Sequence, residues 1–122
     1  MKRILIVDDF NPGRKVLREK LEIQGYDCRE AKNGLEALEA LKTKHFDLVI
    51  TDNKMPLMTG LAFIQALAQQ PKEQRLPIIL LTGHPSRHLY NEAQKAGVLA
   101  VFEKPVEDAE LFSKITSILD PQ

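Results

Sequence analysis

The feature that most constrains this chain is a rhythm. Short apolar runs alternate with stretches of helical spacing, five times over 122 residues. Ile4–Val7, Leu48–Ile50, Pro77–Leu81 and Val98–Phe102 are continuous aliphatic or aromatic runs, as expected of strands buried on both faces. Tyr26–Ala31 is a weaker run carrying Asp27, Arg29 and Glu30, which suits an edge. Between the runs lie helix signals. Asn11 reads as an N-cap with Pro12 in first helical position, Val16, Leu17 and Leu21 share a face, and Gly25 stops the helix. Asn33-Gly34-Leu35-Glu36 resembles a capping box, and Leu35, Leu38 and Leu41 continue the helical spacing. Thr59-Gly60 opens a helix carrying Leu61, Ile64 and Leu67, and Gln70–Leu76 reads as a polar loop around Pro71. Ser86 caps a fourth helix that Gly97 ends, and Leu111, Phe112, Ile115, Ile118 and Leu119 mark a fifth. Strands alternating with helices imply an α/β fold, a five-stranded parallel sheet with helices on both faces.

Composition narrows the function classes. Hydrophobic residues make up 43% of the chain, enough for a real core. Lys plus Arg and Asp plus Glu both number 17, so net charge offers no reason to expect nucleic acid or a membrane surface as partner. The opening apolar run stops at Asp8-Asp9, well short of the roughly 7–15 residues of a secretory signal. No run approaches the roughly 18 residues of a membrane span. The single cysteine, Cys28, rules out a disulfide within the chain and reads as a buried strand residue without a redox role. These features suit the cytoplasm. Residues 1–122 read as one domain, with no output domain in the chain.

The chemistry is expected beyond the carboxyl ends of the strands, where open α/β sheets bind ligands. Strand one ends at Asp8-Asp9, strand three at Asp52, strand four at Thr82 and strand five near Lys104. Three carboxylates, a hydroxyl and an ammonium thus converge on one edge. Like charges about 4 Å apart repel by about 4 kcal/mol at an effective dielectric near 20. Lys104 compensates in part. A hard divalent cation with oxygen ligands, Mg²⁺ or in its place Mn²⁺, would supply the rest. A carboxylate can also attack phosphorus and form an acyl phosphate, provided cations and donors surround the developing charge.

With these residues in place the chain resembles the receiver domains of two-component response regulators, over essentially its whole length. The landmarks are Val7-Asp8-Asp9, Asp52–Gly60, Leu81-Thr82-Gly83, Ala96-Gly97 and Lys104-Pro105. The resemblance implies a doubly wound, flavodoxin-like sheet of order 2-1-3-4-5. It implies that Asp52 is the phosphorylation site and that Asp9, Asp52 and the backbone carbonyl of Lys54 ligate Mg²⁺, with Asp8 acting through water. Thr82, Lys104 and backbone near Gly83 would hold phosphate oxygens, and the Lys104–Pro105 bond would be cis. The donor would be a histidine kinase or phosphotransfer protein, and a downstream protein would read the face formed by the fourth helix, fifth strand and fifth helix. Such a chain is a regulator whose only chemistry is on itself. The alternatives are a phosphorelay intermediate or sink from a hybrid kinase, and a degenerate interaction module that takes no phosphate.

The sequence departs from the family pattern at Val101, where many members carry Tyr or Phe as a switch. Strand alternation puts Phe102 on the opposite face, so it does not substitute. Lys54 and His84 stand two residues beyond Asp52 and Thr82, positions that by resemblance tune acyl phosphate lifetime. Two rival readings fit less well. A haloacid dehalogenase-type hydrolase needs a second aspartate where Asn11 stands. An FMN carrier needs a hydroxyl- and glycine-rich loop where Asp8-Asp9 would repel its phosphate.

Overall fold

The computed structural model describes residues 1–71 and 75–121; residues 72–74, inside the expected loop Gln70–Leu76, lie outside it, as does residue 122. The ten elements follow in strict alternation: β1 (Arg3–Val7), α1 (Asn11–Ile23), β2 (Asp27–Ala31), α2 (Gly34–Thr43), β3 (Leu48–Asp52), α3 (Gly60–Leu67), β4 (Ile78–Thr82), α4 (Arg87–Lys95), β5 (Ala100–Glu103) and α5 (Asp108–Leu119). All strand pairs are parallel, and the order is β2-β1-β3-β4-β5.

Side-chain alternation divides the core into two layers. Leu5, Val7, Val49 and Leu80 face one way and pack with Ala37 of α2, Phe63 and Ile64 of α3, and Leu89 and Ala93 of α4. Ile4, Ile6, Ile50 and Ile79 face the other way and meet Leu21 of α1 and Leu111 and Ile115 of α5. Central strands with apolar side chains on both faces need this double cover. β2 lies at an edge, consistent with its charges, and Cys28 is buried there.

Local signals place most boundaries. Asn33, Thr59 and Ser86 each accept a hydrogen bond from the backbone N–H three residues on. Gly25 and Gly97 adopt φ of +100° and +89° just past α1 and α4, which only glycine takes without strain. Three expectations need correction. Asn11 is not a cap but the first residue of α1; Phe10 holds the cap position without a side-chain bond. The acceptor at this turn is Asp8 Oδ1, which takes the Phe10 N–H at 3.0 Å. Val16 is half exposed, and the inward stripe of α1 runs through Arg14, Leu17 and Leu21. Leu35 is likewise half exposed, with Ala37 taking the buried place on α2. In both cases the apolar residue sits in the first turns, off the stripe that meets the sheet.

Candidate functional site

The carboxyl edge of the sheet gathers the expected residues. Asp8 and Asp9 follow β1 directly, Asp52 closes β3, Thr82 closes β4, and Lys104 follows β5. One carboxylate oxygen from each of Asp8, Asp9 and Asp52 lies within 4.8 Å of the others. Lys104 Nζ stands 2.8 Å from Asp52 Oδ1 and 4.0 Å from Asp8 Oδ2. Asp52 is nearly buried, Asp8 half-buried and Asp9 exposed.

Burial pushes the Asp8 carboxyl above its ordinary range. Asp52 and Asp9 push it the same way, and the Phe10 N–H and Lys104 pull back without cancelling them. By count, three carboxylates share this edge with one ammonium, that of Lys104. That imbalance, with three carboxylate oxygens in reach of one point, fits a hard divalent cation.

Thr82 is buried, and its Oγ1 accepts the His84 N–H at 3.0 Å, which leaves its own O–H to donate. The side chains of Lys54 and His84 are exposed, as is Gly83. The Lys104–Pro105 peptide bond is cis. Val101 packs into the layer of α2, α3 and α4, and Phe102 into the opposite layer of α1 and α5, as alternation requires. Phe102 therefore does not take the place of an aromatic at position 101.

Three residues have supporting roles that the sequence reading did not give them. Asn53 ties the β3–α3 loop together: its carbonyl accepts the Gly60 N–H at 2.8 Å and its Oδ1 the Leu61 N–H at 2.9 Å. Gly60 is required by that close approach, because a Cβ there would lie 2.2 Å from the Asp52 carbonyl oxygen. Arg14 is buried and donates from Nη1 to the Asp8 carbonyl at 2.6 Å and from Nε to Glu30 Oε1 at 2.6 Å. Its signal was present: Arg14, Leu17 and Leu21 have the spacing of one helical face, with a charge where a core residue belongs.

Residues 4–116 match the family described as response regulator receiver domain, and the chain belongs to that family. It is thus a receiver domain of two-component signalling, a class of regulatory proteins. Chemotaxis protein CheY-3 of Vibrio cholerae is 35% identical over 119 residues, which span 97% of this chain and 92% of that protein. The signal receiver domain of a signal transduction histidine kinase from Syntrophus aciditrophicus superimposes with a TM-score of 0.89 at 33% identity, covering 98% of this chain and 90% of that one. Response regulator protein TrrA from Thermotoga maritima, solved in complex with Mg²⁺-BeF, gives a TM-score of 0.85 at 34% identity, covering 98% and 100%. Among the described residues no helix is long and apolar enough to cross a membrane.

Proposed function

We propose that Asp52 accepts a phosphoryl group from a phosphohistidine on a histidine kinase or phosphotransfer protein. The observation that carries this reading is the 2.8 Å contact of Lys104 Nζ with Asp52 Oδ1, inside a cluster where Asp8 and Asp9 bring two more carboxylates. An Asp52 oxygen attacks phosphorus, the donor's P–N bond breaks with its electron pair returning to imidazole, and an acyl phosphate forms. Asp9, Asp52 and the Lys54 carbonyl, with Asp8 through water, would hold Mg²⁺ or Mn²⁺. When bound, the ion supplies positive charge beside the phosphoryl oxygens. Lys104 follows the charge from the carboxylate to the phosphate. The Thr82 hydroxyl and the backbone at Gly83 donate to the remaining oxygens. Lys54 and His84, exposed at the rim, adjust how readily water reaches the acyl phosphate.

The same site supplies a way out for the signal. Thr82 Oγ1 holds the His84 N–H at the entrance to α4. When the Thr82 side chain rotates to carry its hydroxyl to the phosphate, Oγ1 itself moves away from the His84 N–H, and the segment leading into α4 is released. Val101 is too small to act as a swinging ring, so the output is a repacking of α4 against β5 and α5, read by a downstream protein. The likeness to a receiver from a histidine kinase favours a second reading in one respect: the same chemistry serves a phosphorelay step.

Intact mass after treatment with acetyl phosphate and Mg²⁺ tests the reading. Wild type gains one phosphoryl group only with Mg²⁺, and Asp52→Ala gains none. Amide shifts of α4 and β5 move in the phosphorylated sample. An unlabelled wild type, beside a receiver that labels, would sink the assignment. Unmoved α4 and β5 shifts would sink the output route.

A further inference from the structure

Among the described residues Arg14 is the only buried cation, and it comes from α1 rather than from a strand end of the site. A guanidinium is costly to bury unless its charge and its directed N–H groups find partners. Glu30 on β2 meets the charge, with Oε1 2.6 Å from Arg14 Nε. The second oxygen of Glu30 accepts Arg18 Nη1 at 2.9 Å. Burial would raise the Glu30 carboxyl, but Arg14, Arg18 and Lys15 outweigh it and hold the group below its ordinary value. The other arm of the fork points elsewhere, with Arg14 Nη1 2.6 Å from the Asp8 carbonyl oxygen.

That second contact has a specific geometric effect. The Asp8 N–H is already tied to the Ala31 carbonyl at 3.0 Å, as a continuation of the β1–β2 pairing. The carbonyl of Asp8 belongs to the rigid, planar peptide that leads into Asp9. Holding that oxygen orients the whole Asp8–Asp9 peptide, and with it the Cα from which the Asp9 carboxylate projects. Asp8 Oδ1 is held in turn by the Phe10 N–H. The Asp8 carboxylate and the backbone from which the Asp9 carboxylate projects are therefore set before any ligand arrives. The clamp also brings its own counter-charge in Glu30, so it adds order at the acidic edge without a bare positive charge that would compete for it.

We propose that Arg14 is a positioning residue for the divalent cation, acting through the Asp8 carbonyl, on the reading that this acidic edge binds Mg²⁺. Outer partners of metal ligands typically change affinity by about 10–100-fold when removed. Calorimetric titration of the metal-free full chain with Mg²⁺ reads the effect directly. Arg14→Met raises the Mg²⁺ Kd about tenfold. Arg14→Lys restores the charge but not the directed fork and raises it about threefold. Arg18→Met removes the other guanidinium on Glu30, leaves Asp8 untouched and stays within about twofold of wild type. In acetyl phosphate labelling of Arg14→Met, the half-saturating Mg²⁺ rises in parallel, and the rate at saturating Mg²⁺ is nearly restored. Equal Kd values for wild type and Arg14→Met would overturn the inference. An Arg18→Met effect as large as that of Arg14→Met would do the same. If Arg14→Met does not fold, Arg14→Lys carries the test, and a wild-type Kd there overturns it. A wild type that binds no Mg²⁺ would overturn the underlying reading of the site instead.

Discussion

The two ends of the sheet treat aspartate in opposite ways. At the carboxyl edge Asp8, Asp9 and Asp52 crowd within 4.8 Å around one ammonium, and burial leaves the Asp8 carboxyl pushed up. At the amino edge Asp27 and Asp47 each have a partner on both carboxylate oxygens. Arg3 Nε lies 3.0 Å from Asp27 Oδ2 and Arg29 Nη1 2.6 Å from Asp27 Oδ1. Asp47 takes the Arg3 backbone N–H at 2.8 Å and the His45 ring at 3.1 Å. The Arg3 hydrogen bonds hold both carboxyls below their ordinary values, and Arg29 at Asp27 and His45 at Asp47 reinforce this. The chain as a whole balances its charges, so composition does not create the contrast. Placement does. Carboxylates with a donor on each oxygen join strands at one end, and carboxylates crowd one another at the other.

Neutralising one group at each end should move stability in opposite directions. Asp47→Ala leaves the Arg3 N–H at the start of β1 without its acceptor, and should cost about 1–2 kcal/mol in urea unfolding of the metal-free protein. Asp8→Asn keeps an oxygen for the Phe10 N–H and removes one of three crowded charges. It should raise metal-free stability by about 1 kcal/mol while weakening Mg²⁺ uptake. A loss of stability in Asp8→Asn would mean that Lys104 already compensates the cluster, and the contrast between the edges would fail.

The smallest effect is the pH dependence of those two differences. Asp47 has a lowered folded pKa, so its contribution is complete above the ordinary carboxylate range and lost as pH falls through the folded value. Asp8 has a raised folded pKa, so its contribution is present below the ordinary value and lost as pH rises through the folded one. The Asp8→Asn gain should therefore shrink first, as pH falls towards the ordinary carboxylate value from above, and the Asp47→Ala penalty last, as pH falls below that value. Unfolding of the three proteins in a chelator on both sides of that value checks it. A gain in Asp8→Asn that persists in acid would have to come from something other than charge.

Much of this was legible before the structure. The apolar runs show where strands lie because a strand covered on both faces needs apolar side chains at every position. The caps at Asn33, Thr59 and Ser86 and the stops at Gly25 and Gly97 are local chemistry, and local chemistry can be read from neighbours in the chain. The acid pair, Asp52, Thr82 and Lys104 were identifiable because strand ends of a parallel sheet share one edge. What could not be read were the contacts that hold this edge in shape. The spacing of Arg14 with Leu17 and Leu21 was there to be read and was passed over for Val16, and only the packing of α1 against β1 and β2 set the Arg14 fork between the Asp8 carbonyl and Glu30. Gly60 marked a helix start, but the closeness of the Asp52 carbonyl that forbids a side chain there depends on how the β3–α3 loop folds back. Val16 and Leu35 satisfied the periodic pattern yet lie off the buried stripe, because the sheet, not the helix, decides where that stripe ends. The order of elements, and which reactive groups share an edge, follow from short-range pattern and chain direction and can be read along the chain. The tertiary structure alone decided which carboxylates have a donor on each oxygen, because that depends on donors brought from distant strands and helices.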